Sequence, residues 1–519
     1  MPETPKESKL SFTLKRTAGF LSALIHNKRA LLGLGILVFY SAIALGAPLL
    51  TKNDPVFGRY VSGDYAVPMW FKLLPGGENV IPDTNPVNDP SFNSPDSLLG
   101  DQREWNFTAP TQGATVSLQY SPDIGRPASQ SGSGPGSASI VFNRNDKTKP
   151  AGEVTAILTK DFYYPNEISP RRFSANISAD IIGADKIPVT IKLFVANATG
   201  FKTFLWVSQT ISVNETITWI VPETPVDSYN SAVKEKLETQ FGRVGIDPAK
   251  VLFPTKSDYT LGVEIVFSDA TTGIIGPQAR VYIDDMNLRL FGNGYGLLGT
   301  DHMGRDIFSQ LIYGARISLF VGLLSAVLSV GLGLLIGLIA GYSAGALDEV
   351  IMRLTDALLV LPGLPLLLVL IALLGPSIWN LIMVIGVLGW MGFARTVRSQ
   401  TLSIKERPFV EAAKAIGAGR WHIILRHILP NVMTLVYVSL ALAVPSAILS
   451  EAALSFLGLF DPTVVSWGRM LNEAEFNQGI EKWWWIVPPG VSIALVSLSF
   501  ILIGYALDEL LNPKLRQRR

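Results

Sequence analysis

One short stretch of the sequence collects residues that could do acid–base or metal chemistry. The segment LGTDHMGRD places Asp301, His302, Arg305 and Asp306 within six positions. Carboxylates and imidazoles at this density can transfer protons or ligate a metal ion. The competing interpretation is a turn in which Asp and Arg side chains pair and fix the start of the next helix. We favour the turn, because structural ion pairs gather charges as catalytic sites do.

Other residue types exclude several kinds of site. The chain contains no cysteine, which excludes disulfides, thiol catalysis and cysteine-ligated metals. His422 and His427 are five positions apart, a poor spacing for sharing a metal ion on one helical face. No G-x-x-x-x-G-K-[ST] motif is present, so the chain has no P-loop for nucleotide phosphates. We predict no catalytic residue, no metal site, no cofactor and no nucleic-acid partner.

A second stretch, RPFVEAAKAIGAGRWHIILRHILPNV at 407–432, is basic and amphipathic. Pro408 suits a first helical turn, and Glu411 suits the positive end of the helix dipole. Gly417 and Gly419 interrupt the helical pattern, which predicts two short helices joined by a turn. The apolar residues of the pattern are Val410, Ala413, Ile416, Trp421, Ile424, Leu425 and Ile428. By pattern alone, these helices could equally lie on the lipid surface.

Six apolar runs are long enough to cross a bilayer as helices. They lie near residues 31–50, 317–341, 350–374, 378–394, 431–450 and 483–505. Only 16% of the residues are charged, against about 25% in average globular chains. We interpret the first run as an uncleaved anchor, because it is longer than the apolar region of a signal peptide. The sequence therefore predicts a lipid bilayer as the surroundings of this chain.

Basic residues give the expected orientation. Lys28 and Arg29 precede the first run, and residues 395–427 carry seven Lys and Arg against two Glu. The chain ends in NPKLRQRR, which is also basic. Lys and Arg favour the cytoplasmic side of a membrane. We therefore expect both termini and the loop 395–430 in the cytoplasm, and residues 52–300 outside the cell membrane.

The region between the first two runs differs in kind. Residues 52–300 carry 21 Lys and Arg and 26 Asp and Glu, so this region is acidic. The whole chain has 43 Lys and Arg and 42 Asp and Glu, so the remainder, with 22 basic and 16 acidic residues, is basic. Alternating strand patterns occur in VTIKLFVAN, TFLWVSQTISV, YTLGVEIVFS and ARVYIDDMNLRLF, and SYNSAVKEKLETQFG has a helical pattern. These runs predict a β-sandwich or barrel over about 150–292, behind a looser segment, and we expect a sandwich that folds alone. Its last strand resembles the closing strand of a jelly-roll carbohydrate-binding module.

The loop residues carry a family resemblance. The segment EAAKAIG, followed after eleven residues by LP, resembles the EAA loop of ABC importer membrane subunits. The matching residues are Glu411, Ala412, Ala413, Gly417, Leu429 and Pro430. The resemblance implies that this loop is a coupling helix, which docks in a groove of a cytoplasmic ATPase.

A second segment narrows the family. LLGTDHMGRDIFSQLIYGARISL at 297–319 resembles a stretch of dipeptide and oligopeptide permeases. The matching positions include Gly299, Thr300, Asp301, Gly304, Arg305, Asp306, Gly314, Arg316 and Ser318. The final DELLNPKLR is close to the end of those permeases, although Asn512 stands where Asp is usual. The sequence is identified as a member of the dipeptide, oligopeptide and nickel permease family over about half of its length, at 20–50 and 295–519.

The expected organisation follows from the resemblance and the spans together. It comprises a cytoplasmic amphipathic tail (1–29), a first transmembrane helix (30–51), an extracytoplasmic insertion (52–296) and a five-span core (297–519). The fold class is an α-helical polytopic membrane protein of the type I ABC importer kind, with an inserted extracytoplasmic β-sandwich. The insertion is not part of the family pattern. Docking of a binding protein, glycan binding and passive shielding are its open roles.

The resemblance implies a transporter subunit and not an enzyme. The chain would form the pathway with a second permease, take energy from two cytoplasmic ATPases, and receive substrate from an extracytoplasmic substrate-binding protein. Dipeptides or oligopeptides are the expected substrates, with nickel or oligosaccharides as alternatives. A function of another class is a membrane receptor whose external β domain binds a ligand. An EAA pattern disfavours the receptor, since a sensor does not need one.

Overall fold

The computed structural model describes residues 26–511 except 59, 90–91, 93–94, 102, 111–112, 131, 133, 147–148, 183–186, 213–218, 271–277 and 344. Most of the predicted amphipathic tail, residues 1–25, and the basic end 512–519 with Asn512 lie outside the described residues. The chain divides into two compact units. One unit comprises residues 62–304, and the other comprises the residues up to 61 and from 305 onward.

The first helix, α1, spans Lys28–Leu50. Asn27 precedes it as the N-cap, and the Asn27 side-chain oxygen accepts hydrogen bonds from the backbone N–H groups of Arg29 (3.0 Å) and Ala30 (3.4 Å). These bonds satisfy two N–H groups that have no partner within the helix. The apolar run at 31–50 therefore forms one helix with a defined start.

In its described residues, the unit 62–304 has twelve strands that pair antiparallel, three short α-helices and two 3-10 helices, Met69–Leu73 and Ala128–Gln130. The strands are β1 Thr84–Asp89, β2 Asn106–Thr108, β3 Ala114–Ser121, β4 Ser137–Arg144, β5 Gly152–Tyr164, β6 Arg172–Ile182, β7 Pro188–Asn197, β8 Lys202–Val207, β9 Ile211–Ser212, β10 Val226–Asp227, β11 Ser257–Asp269 and β12 Gln278–Phe291. The helices are α2 Pro95–Leu99, α3 Ser231–Phe241 and α4 Pro248–Leu252.

The strands form two six-stranded sheets. One sheet has the order β10-β6-β12-β4-β3 with β1 on β12, and the other has the order β2-β5-β11-β7-β8 with β9 on β7. Side chains alternate between buried and exposed along β5, as expected where one face of a strand packs on a core. Inward residues of both sheets, such as Phe142 and Phe267 with ring centroids 5.0 Å apart, belong to one hydrophobic core.

The β-rich region is longer than the predicted 150–292. Strands begin at Thr84, and β4 lies inside its sheet between β12 and β3. The sequence pattern missed this because β1 and β2 are short and separated by loops, and their partners are far along the chain. By contrast, β7, β8, β11, β12 and the helix α3 coincide with the runs that the sequence pattern indicated.

The other unit continues after residue 305 as a set of helices. They are α5 Ile307–Ser343, α6 Ala346–Val360, α7 Gly363–Leu374, α8 Ile378–Gly389, α9 Met391–Lys405, α10 Pro408–Ala415, α11 Arg420–Ile423, α12 Leu429–Phe456, α13 Trp467–Phe476 and α14 Trp483–Leu511. A π-helical turn, Ile424–Ile428, joins α11 to α12.

Within the described residues, five helical stretches are long and apolar enough to cross a membrane, or six if a bent pair counts as one span. The bent pair is α6 and α7, which meet at 91°. It occupies the predicted third span at 350–374. Pro362 lies at the break, where its missing N–H and its restriction on the preceding residue end α6.

Helices α5 and α9 pack closely at glycines of α5. A Cβ added at Gly333, Gly337 or Gly341 would lie 2.8, 2.6 or 2.7 Å from atoms of Trp390, Ala394 or Thr401. The absence of a side chain at these three positions therefore allows the two helices to approach closely. Gly331 has open space around it and does not take part in this packing.

Three consecutive tryptophans begin α14, and tryptophan is typical of the membrane interface. Trp484 and Trp485 are buried within the protein, whereas Trp483 is exposed. An anchor at the lipid headgroups needs an exposed ring, so of these three residues Trp483 alone fits that role.

Candidate functional site

The loop between α9 and α12 contains two short helices, α10 and α11, as the sequence pattern predicts. Pro408 is in the first turn of α10, where its missing N–H costs no helical hydrogen bond. Gly417 ends α10 in the left-handed conformation, with φ of 84°. The Gly417 N–H donates to Lys414 O (2.9 Å) and the Ala418 N–H donates to Ala413 O (3.0 Å). These two bonds form a Schellman motif, which explains a glycine at 417.

The loop has a buried face. Its residues pack with Leu338 of α5 and Val397 of α9 in one cluster. The buried loop residues are Val410, Ala413, Ile423, Ile424 and Ile428. This packing fixes the two short helices on the helical unit.

The loop also has an exposed apolar face, formed by Phe409, Ile416, Trp421 and Leu425. Ile416 is 86% exposed and Trp421 62% exposed. Sequence periodicity placed Ile416, Trp421 and Leu425 on the same apolar pattern as Val410. The structure separates them, because Val410 packs against Leu338 and Val397 whereas Ile416, Trp421 and Leu425 lie outside that cluster. We call these four residues the exposed loop face.

The motif residues divide between the two faces. Glu411 and Ala412 are exposed, whereas Ala413 is buried. Leu429 is half-buried against the cluster, and Pro430 is exposed in the first turn of α12. The EAA residues therefore present one acidic and one small side chain outward, with no group positioned for bond chemistry.

Polar contacts hold α9, which leads into the loop, to its neighbours. Arg398 donates two hydrogen bonds to the carboxylate of Asp348 on α6, at 2.5 and 2.6 Å. Arg395 pairs with Asp356, also on α6. Lys405 donates from Nζ to the Tyr342 backbone oxygen at 2.6 Å. Asp348 and Asp356 thus tie α6 to α9.

The first half of LGTDHMGRD belongs to the unit 62–304. A Cβ at Gly299, whose φ is 70°, would lie 2.1 Å from Ala66 O, so only glycine fits. The Thr300 hydroxyl accepts from Ala66 N (2.8 Å) and donates to Gly63 O (2.5 Å). The Asp301 carboxylate accepts from Met303 N at 2.8 Å. These contacts form a turn, and Gly304 follows it with φ of 65°.

The second half of the segment belongs to the helical unit. The Asp306 carboxylate accepts hydrogen bonds from Phe308 N (3.1 Å) and from the Ser309 hydroxyl (2.5 Å), and so caps α5. Arg305 forms a buried ion pair with Glu473 of α13. Arg316 is exposed on α5. The contacts agree with the turn interpretation of this segment.

Two acidic residues that the sequence reasoning did not single out are buried in the helical unit. Glu473 binds Arg305 and also accepts from Arg469 Nε at 3.0 Å. Glu451 of α12 accepts from the hydroxyl of Ser455 at 2.7 Å and from that of Ser318 at 3.5 Å. A carboxylate inside an apolar run was the available signal for Glu451. For Glu473 the available local signal was Arg469 four positions earlier on the same helix, whereas its pairing with Arg305, 168 positions away, had none.

Metal ligation has no support in the part of the chain that the structure describes. No group of three or more His, Asp or Glu side chains there could hold a metal ion.

Comparison with known proteins decides the family. Residues 333–517 match the family described as "Binding-protein-dependent transport system inner membrane component". The dipeptide transport system permease protein DppC of Bacillus subtilis (strain 168) is 41% identical over 220 residues, which are 42% of this chain and 69% of that protein.

The chain belongs to this permease family.

The glutathione transport system permease protein GsiD of Escherichia coli O6:K15:H31 is a further relative of this permease, 40% identical over 46% of this chain and 79% of that protein. The resemblance seen in the sequence motifs is thereby confirmed. A permease of this family is an inner-membrane protein that works in a membrane-embedded complex with other ABC components.

The family match does not include residues 62–304. Among solved structures, the permease has a likeness to the carbohydrate-binding module TmCBM61 in complex with β-1,4-galactotriose. That likeness has 13% identity and a TM-score of 0.21, and covers 40% of this chain and 97% of the module. A TM-score at this level assigns neither a fold nor a ligand.

Proposed function

We propose that this permease subunit imports dipeptides or oligopeptides with energy from ATP. It pairs with a second permease, two cytoplasmic ATPases and an extracytoplasmic substrate-binding protein. The names of DppC and GsiD support a peptide-type substrate. The receptor alternative, and nickel or oligosaccharide as substrate, have no such support.

The permease crosses the membrane six times, with the bent pair of α6 and α7 as its third span. Both termini and the loop 395–430 face the cytoplasm, because basic residues gather there. The unit 62–304 is then an extracytoplasmic β-sandwich inserted between the first and second spans. The two sheets around one hydrophobic core support a sandwich. The excess of Asp and Glu over Lys and Arg in residues 52–300 supports an extracytoplasmic location of the unit.

The loop 407–430 transmits ATPase movement to the spans. The observation that carries this proposal is the exposure of four large apolar side chains on the loop, Phe409, Ile416, Trp421 and Leu425. Four large apolar side chains exposed together on short helices are typical of a protein contact surface. The loop joins α9 directly to α12, so a push on it would move both helices as rigid elements.

Substitutions on the loop test this role. Trp421→Ala removes the largest exposed ring and should lower both ATPase co-purification and ATP-dependent uptake, with normal membrane insertion. Gly417→Ala should also lower ATPase co-purification and uptake, but by less. Placing a residue with a Cβ in the left-handed conformation costs roughly 1–2 kcal/mol and distorts the end of α10. Gly419→Ala is the matched control, since Gly419 has φ of −67° and open space around it.

Co-purified ATPase and peptide uptake are measured side by side at matched expression. Full ATPase binding and full uptake by both Trp421→Ala and Gly417→Ala would mean that the loop is only an interfacial helix. The coupling role would then be wrong.

A further inference from the structure

A cavity of about 430 Å³ lies inside the helical unit, beside the bend between α6 and α7. Its wall comes from α5, α6, α7, α8, α9 and α12. The hydroxyl-bearing residues of the wall are Ser325 and Ser329 of α5 and Ser446 and Ser450 of α12. The remaining wall residues are Leu, Ile, Ala, Gly and Met, so the described lining has no charged side chain.

The bend between α6 and α7 exposes backbone that has no helical hydrogen bonds. Residues 359–365 are all exposed, and Leu361 and Pro362 are not helical. A break leaves the last carbonyls of α6 and the first N–H groups of α7 without helical partners. Within hydrocarbon each such group would cost several kcal/mol, so non-helical backbone at membrane depth lines water or is buried in protein.

The hydroxyls favour water over apolar packing at this break. Ser450 donates to the Ser446 backbone oxygen at 2.8 Å, and Ser325 donates weakly to Ile382 O at 3.4 Å. The hydroxyls of Ser329 and Ser446 form no hydrogen bond to any other residue that the structure describes. A roomy cavity with several polar groups holds water, whereas an empty cavity is apolar.

We propose that this cavity is the part of the peptide route that this permease contributes, with Leu358, Leu359, Leu361 and Gly363 at the bend and the four serines in its wall. This inference rests on the proposed function. A serine hydroxyl both donates and accepts, so it can serve either the N–H or the C=O of a peptide bond. A wall without charge does not discriminate between acidic and basic side chains. The wall therefore recognises the peptide backbone and accepts many side chains.

The absence of cysteine from the chain makes a direct test simple. Ser446→Cys and Ser450→Cys are each introduced into the complete transporter and exposed to a charged methanethiosulfonate reagent. Leu373→Cys is the matched control on α7, because Leu373 is 78% exposed but does not line the cavity. Val244→Cys, on an exposed loop of the unit 62–304, gives the rate of a fully aqueous thiol.

We expect both cavity cysteines to react at least about tenfold faster than Leu373→Cys, since only a hydrated thiol ionises to the reactive thiolate. Dialanine supplied with ATP and the binding protein should slow their reaction, and modification should block uptake. Ser446→Phe should lower uptake severalfold while ATPase co-purification stays normal. Leu449→Phe, which adds bulk on the same helix outside the cavity, should leave uptake unchanged.

The outcomes separate the two proposals. Cavity cysteines that react as slowly as Leu373→Cys, in a transporter that imports peptide, would overturn the route. They would mean that a partner chain fills the cavity. Failure of the unmodified, fully assembled transporter to import any peptide would overturn the proposed function itself.

Discussion

Buried charges in the helical unit serve as connectors between distant parts of the chain. Glu473 accepts from two arginines, Arg305 and Arg469, and all three side chains are largely buried. Arg469 also donates to the backbone oxygens of Pro462 (2.9 Å) and Val464 (2.6 Å). This cluster fixes α13 against the segment that precedes α5.

Glu473→Gln should therefore destabilise the helical unit. It leaves two buried guanidinium groups without their shared carboxylate, a loss of about 3–5 kcal/mol for a broken buried pair. The measurement is the thermal unfolding of the detergent-solubilised complex. Glu475→Gln, an exposed change on the same helix, is the control and should have almost no effect. Equal melting temperatures for both variants would contradict the structural role of Glu473.

Asp284 gives the unit 62–304 a pH dependence. Its carboxylate is buried and accepts from Arg126 N (2.7 Å) and Asp285 N (2.8 Å). Burial raises the pKa of Asp284 to about 7, although the two N–H donors lower it. The folded unit then holds a proton that the unfolded chain releases, since the pKa of an unperturbed Asp is about 3.9. Stability from this group is present at low pH and is lost as pH rises toward 7.

We expect Asp284→Asn to flatten the dependence of the unfolding free energy on pH between about 4 and 7. Denaturant unfolding of residues 62–304 at several pH values gives the slope of the unfolding free energy against pH. Asp258→Asn, an exposed change on β11, is the control and should keep the slope of the unchanged protein. An unchanged slope in Asp284→Asn would show that this carboxyl does not bind a proton more tightly in the folded unit.

At the scale of elements, the contact between α5 and α9 depends on glycines on one face of α5. A Cβ at Gly337 would lie 2.6 Å from Ala394 O and 2.7 Å from Val397 Cβ, on backbone and on a branched side chain that cannot easily move. Because α9 leads into the loop, a shift of α9 would also move the exposed loop face.

Gly337→Ala should therefore lower the melting temperature of the complex and reduce uptake. Gly331→Ala on the same helix meets nothing within 4 Å, and the helix gains up to about 1 kcal/mol when alanine replaces an interior glycine. Comparing Gly337→Ala with Gly331→Ala separates the loss of close packing from the gain in helix propensity that any Gly→Ala change brings. A stabilising Gly337→Ala would mean that α9 can move away without cost.

At the scale of the whole molecule, residues 62–304 form a compact unit with its own core. We expect this segment to fold as a soluble β protein when produced without the spans. The shorter segment 150–292 should not, because it lacks β1 and β4, two of the three partners of β12, and β2, one of the two partners of β5. Circular dichroism and amide dispersion by NMR measure both. A well-folded 150–292 would show that the upstream strands are dispensable.

The sequence by itself determined the features that local patterns encode. Apolar length gave the long apolar helices, and period-two alternation gave β7, β8, β11 and β12. The EAA and LGTD motifs gave the family, and Pro408 and Gly417 gave the limits of α10. Each of these depends on residues that are neighbours in the chain, so no distant contact was needed to recognise them.

Tertiary structure decided which side chains face a partner and which face the core. Val410 and Trp421 belong to one apolar pattern, yet one is buried and the other exposed, because packing on Leu338 selects the face. The pair Arg305–Glu473 and the cavity beside the bend join segments that are far apart in sequence. Such contacts depend on how helices pack, and periodicity reports only that a face is apolar, not what will cover it.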